Sequence, residues 1–256
     1  MNASCSLFSR IGMLLLGTLL SFNIAAQNTA TQSDSTELQA ALNNPSRSDA
    51  DKARDSQRKP VQVLSFFGIG KGMTVMDLMA SGGWYTEVLS HAVGTSGKVY
   101  AQNIQVFLNY NDRMYDKALT DRLANNRLPN VIRWDREFAD LGEANSIDAA
   151  LTALNFHDLY NTNPAWAAEM LAGVKKVLKP GGTLAVIDQN GVAGADNNQL
   201  HRITQQEVVD AVTAAGFELI ATSELLRNSE DDHTLNVFAP PIRGKTDRII
   251  MKFRKP

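Results

Sequence analysis

From Thr74 onward the chain switches repeatedly between short apolar runs of strand length and longer stretches of helical period. The pattern predicts strands at 74–78, 98–102, 131–134, 147–153, 183–187, 217–221 and 248–253. Helices are expected at 84–92, 112–124, 164–178 and 204–215. Thr204 and Glu207 form a T-x-x-E capping box for the last helix, and Gly216 supplies the residue that tolerates a left-handed stop. Pro60 suits the first turn of an earlier helix, with Leu64, Phe66 and Phe67 as its apolar face. Strands joined through helices need right-handed crossovers, so the fold class is α/β, with a mostly parallel seven-stranded sheet covered by helices on both faces. The last two strands have a long loop between them and no helix. They are expected to pair antiparallel, as a C-terminal hairpin.

A length of 256 residues suits one domain with a full core. Lys and Arg number 25 against 27 Asp and Glu, and that balance offers no basic field for a phosphate backbone. Nucleic acid is not an expected partner. Before the domain, Arg10, the apolar run 11–20 and the small residues Ala25-Ala26 make 1–26 a signal peptide, expected to be cleaved and to deliver the protein to the periplasm or outside the cell. The run is shorter than the ~20 residues that span a bilayer, so no stable membrane anchor is expected after cleavage. Cys5, the only cysteine, precedes that run, whereas a lipid-acceptor cysteine would follow it. Residues 27–45, rich in Ser, Thr, Gln and Asn, are expected to form a flexible linker. The ordered domain is expected over 46–256.

Several segments agree in order with one family. The turn DLMASGGWYTE at 77–87, LKPGG at 178–182 and the closing hairpin resemble the class I S-adenosylmethionine-dependent methyltransferase superfamily, with its Rossmann-like fold, over roughly residues 60–255. GGWYTE, GKVYA, HRI, AGF, DDHT and RGKTDR look like a group of exported predicted methyltransferases. The resemblance implies S-adenosylmethionine as cofactor and a small-molecule acceptor. In the family pattern D-x-G-x-G-x-G, Asp77 takes the acidic position, Met79 and Ser81 replace the first two glycines, and Gly83 is the third; Gly82 adds a glycine out of register. Side chains at 79 and 81 are expected where the adenosyl moiety would pass. The resemblance also places the ribose-binding position on Asn103, where an amide stands for the usual carboxylate, and the adenine-contacting position on Glu137, with Asp140 three later. Trp84 is expected near the ligand and Tyr85 in the core. Gly82 and Gly83 could equally serve strand-to-helix packing.

Ligands of open parallel sheets bind beyond the carboxyl ends of the strands. Polar residues expected there are Asn155, His157, Asp158 and Tyr160, then Asp188 and Asn190, then His201 and Arg202, with Asp231, Asp232 and His233 in the long loop. Three readings stay open. His157 or His201, oriented by Asp158 or Asp188, is a catalytic general base; the residues lock loops together, with His201-Arg202 against the acidic pair; or His157, Asp188, His201 and His233 bind a metal, although no diagnostic ligand spacing is present. The function expected is therefore an exported S-adenosylmethionine-dependent methyltransferase. The alternative is a methyltransferase-fold protein that only binds a ligand, or a metal- or His/Asp-dependent hydrolase.

Overall fold

The computed structural model describes residues 35–256. The expected signal peptide and the first part of the expected linker lie outside them. Residues 35–42 are helical (α1), which corrects the expected linker over that stretch: Leu38 and Leu42 sit one turn apart and bury against Val63, Leu64 and Phe67. A polar composition concealed a two-residue apolar stripe. Three further short helices follow: α2 (Asp49–Lys52), α3 (Asp55–Arg58) and α4 (Pro60–Phe67), the last opened by Pro60 as expected. Arg47, fully buried, ties them together by donating to the Asp55 carboxylate at 2.6 Å and to the Leu42 carbonyl at 3.0 Å.

Seven strands form one sheet in the order β3-β2-β1-β4-β5-β7-β6. They are β1 (Thr74–Leu78), β2 (Lys98–Asn103), β3 (Val131–Asp135), β4 (Ile147–Ala153), β5 (Leu178–Gln189), β6 (Glu218–Ser223) and β7 (Arg248–Arg254). The first five are parallel, and β7 runs antiparallel between β5 and β6. The expected fold class is the one observed. β5 begins earlier than its apolar run, because Leu178 already pairs with Ile147 before the glycine turn.

Period-two alternation divides the core into two layers. Met76, Leu78, Leu184 and Val186 face α8 (Phe156–Thr162), α9 (Pro164–Val177) and α11 (Gln205–Ala214). Val75, Leu151, Ala185 and Ile187 face α1, α4 and α5 (Trp84–Val93). The Thr204–Glu207 capping box is present at α11. Two helices, α6 (Gln105–Leu108) and α7 (Tyr110–Leu123), lie between β2 and β3, and the short α10 (Asn197–Leu200) follows β5. Among the described residues no helix is long and apolar enough to cross a membrane. With β1 flanked by β2 on one side and β4 on the other, the chain reverses direction across the sheet there. That is where an open sheet of this kind leaves a crevice.

Candidate functional site

A crevice of about 430 Å³ lies beyond the carboxyl ends of β1 and β4. Two other hollows, of about 360 and 450 Å³, are lined by His91 and Gly94 near the start of β2, away from the clustered His and Asp side chains.

The turn after β1 forms the crevice floor, and its backbone explains the altered motif. Met79, Ser81 and Gly83 all adopt left-handed conformations, with φ of 50°, 53° and 80°. These are the three glycine positions of D-x-G-x-G-x-G, so the glycine backbone survives where two glycines do not. A non-glycine residue held there costs about 1–3 kcal/mol, and neighbours must over-determine it. Gln102 and Asn103 at the end of β2 do so: the Met79 N–H donates to Gln102 Oε1 at 3.0 Å and the Ser81 N–H to Asn103 Oδ1 at 2.9 Å. From the other side, Asn155 Nδ2 donates to the Met79 carbonyl at 3.0 Å. The Met79 side chain turns down into the apolar layer and is 1% exposed. Met79 and Ser81 both border the crevice, but the Met79 side chain is packed away from it, contrary to expectation.

Gly82 and Gly83 both border the crevice and serve strand-to-helix packing. Their backbone lines the crevice, and α7 packs so closely that a Cβ at Gly83 would stand 2.8 Å from Leu119 Cδ1 and 2.9 Å from Arg122 Cδ. Arg122 Nε donates to the Gly82 carbonyl at 2.7 Å. The Arg122 guanidinium also meets Asp51 and the buried Glu87, which Arg127 shares.

Asp77, one residue before the end of β1 and almost wholly buried, accepts the Thr86 hydroxyl at 2.6 Å. Burial pushes its carboxyl up to about 7, against the opposing pull of Thr86, Arg58 and Arg122. Trp84 and Tyr85 meet edge to face at 4.7 Å, and both are buried and both border the crevice, so the expected division between them is not found. The Trp84 indole N–H donates to the Asp51 carbonyl at 3.1 Å, and the Arg58 guanidinium stands 4.6 Å over its ring. Burial brings Arg58 down to about 9, still a cation at neutral pH. Arg54 and Arg58 thus give one wall positive charge. Phe107, Tyr115 and Phe238 line the crevice with Asp158.

Two expected contacts do not reach the crevice. Asn103 is fully buried, its amide engaged with Ser81, and Glu137 accepts the Gln105 N–H at 2.9 Å; neither is in the lining. Asp140 pairs with Arg136.

The His/Asp residues sort into separate clusters. His157 Nδ1 lies 2.6 Å from Asp188 Oδ1, while Asp188 Oδ2 accepts the His157 backbone N–H at 2.8 Å. On the other ring edge, His157 Nε2 stands 3.1 Å from Asp158 Oδ1 but makes no hydrogen bond, and His201 Nδ1 is 3.0 Å from the same oxygen. Burial works against a charge on His157, yet the carboxylates of Asp188 and Asp158 outweigh it and raise its pKa to about 10. The two carboxylates thus favour the cationic form of His157. A proton held there must leave before His157 can act as a general base. Burial opposes the charge of Asp158 too, but His157 and His201 hold its pKa below the ordinary value.

The loop-lock reading fits the other cluster. Fully buried Arg202 makes a two-pronged pair with Asp231 at 2.9 and 3.0 Å and donates to the carbonyls of Asn190 and Leu235. Asp232 caps its own turn by accepting from Thr234. His233 Nε2 is 2.9 Å from Asp247. The four-residue metal set is thus not assembled, since His233 belongs to the lock and Asp188 stands behind His157. Tyr160, partly buried, packs on Phe156 against the core. Arg58, Arg122, Gln102, Phe107, Tyr115 and Phe238 were not anticipated in the site.

Comparison with protein-family models and with curated proteins finds no match. Solved structures do resemble the chain. An S-adenosylmethionine-dependent methyltransferase from Aquifex aeolicus superposes with a TM-score of 0.59 at 22% identity, covering 87% of this chain and 98% of the other. The chain has the methyltransferase Rossmann-like fold. The [4+2]-cyclase SpnF aligns with a TM-score of 0.57 at 16% identity, over 78% of this chain and 81% of that one. A sarcosine dimethylglycine methyltransferase homologue from Galdieria sulphuraria aligns at 0.56 and 16%, over 78% and 85%. At these identities the likeness concerns the fold, and a fold hosts many chemistries.

Proposed function

We propose that the crevice binds S-adenosylmethionine and that the chain is an exported methyltransferase acting on a small-molecule acceptor. The observation that carries this reading is the turn 79–83, which keeps left-handed backbone at all three glycine positions of the cofactor motif although two are Met79 and Ser81. A backbone so costly to hold with side chains speaks for a ligand-binding shape. The residues around it suit the cofactor. Arg54 and Arg58 supply cations for its carboxylate, Asp77 a buried acceptor for its ammonium or a ribose hydroxyl, and Phe107 and Tyr115 flat surfaces for its adenine.

The cofactor would supply an activated methyl group on a sulfonium. The chain's own residues position the acceptor and handle its proton. Asp158, held ionised beside His157 and His201, accepts a hydrogen bond from the acceptor's N–H or O–H at the crevice wall. The half-exposed His201 beside it is placed to pass that proton to solvent. Phe238, edge-on to His201 at 5.0 Å, covers this end of the crevice.

Calorimetry with S-adenosylmethionine and S-adenosylhomocysteine tests the reading. Binding that weakens at least ~10-fold in Arg58→Ala is expected, as for loss of a charged hydrogen bond. No binding at millimolar ligand overturns it in favour of a scaffold for another ligand. Export is tested by fusing residues 1–45 to a reporter active only outside the cytoplasm.

A further inference from the structure

His157, Asp158 and His201 bring three donor atoms of metal-ligating type together from two elements, the first turn of α8 and the end of α10. Among the described residues, theirs is the group whose ligand atoms all lie within 4.8 Å of one another. The two measured edges are 3.1 Å, from His157 Nε2 to Asp158 Oδ1, and 3.0 Å, from Asp158 Oδ1 to His201 Nδ1. Around a zinc-type ion with bonds of about 2.0–2.1 Å, ligands at right angles stand about 2.9 Å apart and ligands at tetrahedral angles about 3.4 Å. Both edges fall within that interval.

A second observation is independent of the spacing. His157 Nε2 sits in a side chain 4% exposed and has no hydrogen-bond partner, although a carboxylate oxygen is only 3.1 Å away. The two atoms are close enough to pair electrostatically when the ring is charged, yet their geometry does not make a hydrogen bond. Buried polar nitrogens are rarely left unpaired. The opposite ring nitrogen is held by Asp188, the carboxylate support that ligating imidazoles commonly have behind them. Asp188 and Asp158 with two neutral imidazoles also balance a divalent charge. His201 reaches the cluster from a left-handed backbone, φ 54°, which a non-glycine residue adopts at a cost.

We propose that His157 Nε2, Asp158 and His201 form a binding site for a divalent transition-metal ion of zinc type, with Asp188 as the supporting carboxylate. Two imidazoles and one carboxylate are the donor set such ions take when positions are left open. The ion replaces the proton otherwise held on Nε2, and that proton goes to solvent. Asp158 also lines the crevice, so the open positions are available to an oxygen or nitrogen of a bound molecule. Occupancy by metal does not depend on the methyltransferase reading; use of the ion to hold a methyl acceptor does.

The test uses the protein produced without a histidine tag, stripped with a chelator and titrated with Zn²⁺ and, separately, Co²⁺. One equivalent of Zn²⁺ at micromolar or tighter affinity is expected, with a visible absorption band for the Co²⁺ form. His201→Asn, which keeps a residue tolerant of left-handed backbone, and Asp158→Asn should each weaken binding at least ~10-fold, and His233→Ala should leave it unchanged. Circular dichroism and thermal unfolding establish that each variant is folded. No uptake by the wild type at submillimolar Zn²⁺, or equal affinity in folded His201→Asn and Asp158→Asn, overturns the proposal. Calorimetry with S-adenosylmethionine on the same stripped samples reads the cofactor separately, so failure of one reading is told apart from failure of the other.

Discussion

Asp188 grips His157 twice, one carboxylate oxygen 2.6 Å from Nδ1 and the other accepting the backbone N–H of the same residue at 2.8 Å. The end of β5 thereby sets both the start of α8 and the orientation of the imidazole. Asp188→Asn keeps one acceptor but removes the charge facing the buried ring. A loss of about 2–4 kcal/mol is expected in urea unfolding, near the range for breaking a buried ion pair. A loss below ~0.5 kcal/mol would mean that the grip contributes little.

Asp77 should make stability fall as pH rises. Its folded pKa, about 7, lies above the ordinary 3.8, so between those values the folded chain keeps a proton that the unfolded chain has released. At about 1.4 kcal/mol per unit, the difference grows to roughly 4 kcal/mol and then levels above pH 7. Asp77→Asn lacks this dependence. Thermal unfolding from pH 4 to 9 should show the variant gaining on the wild type until about pH 7, then running parallel.

Glu87 should act in the opposite sense. Burial pushes its carboxyl up, but Arg127 and Arg122 outweigh burial and leave it below the ordinary 4.5. Its contribution is present above that value and is lost as pH falls through the lower folded value. Glu87→Gln leaves two arginines short of a buried partner and should cost about 3 kcal/mol at pH 7. The gap between the two proteins should narrow in acid, as denaturant titrations at pH 7 and pH 3 would reveal.

Replacing Met79 and Ser81 by glycine restores the family pattern but should not tighten cofactor binding. The Met79 side chain is already out of the crevice, and its loss opens a void in the apolar layer worth about 2–4 kcal/mol, only partly offset by relief of left-handed strain. Ser81→Gly alone should be close to neutral, since the relieved strain is set against the lost hydroxyl bond to the Met79 carbonyl. Calorimetry and unfolding of the single and double variants separate these terms. A tighter complex in the double variant contradicts this account.

Gly83→Ala puts a methyl group against Leu119 and Arg122 at a φ of 80°. A destabilisation of about 1–3 kcal/mol is expected, with Arg122 displaced from the Gly82 carbonyl. Chemical denaturation checks the first effect and weakened binding in the crevice the second.

Much of the scaffold was legible in the chain itself. Strand and helix periods are local, so the seven strands, the Pro60 start and the Thr204–Glu207 box could be read within a few residues of their positions. The helix at 35–42 was not legible, because Leu38 and Leu42 are too few to mark an apolar face until Val63 and Phe67 supply the other side. At the crevice, Asp77 was legible through the family pattern and Asn155 from its place after a strand. Asn103 and Glu137 occupied the right sequence positions, yet their side chains turn to backbone N–H groups that only the folded loops bring near.

What the sequence alone determined was the order of elements and, through it, which strand ends border the crevice. Tertiary structure decided how the residues there are used. The left-handed backbone at Met79 and Ser81 depends on Gln102, Asn103 and Asn155, which lie 22 to 76 residues away along the chain. Likewise, His157 and His201 meet at Asp158 while His233 is drawn to Asp247. Periodicity is carried by neighbours along the chain, whereas the charge and aim of a buried imidazole are set by whichever carboxylates the folded sheet brings within about 3 Å.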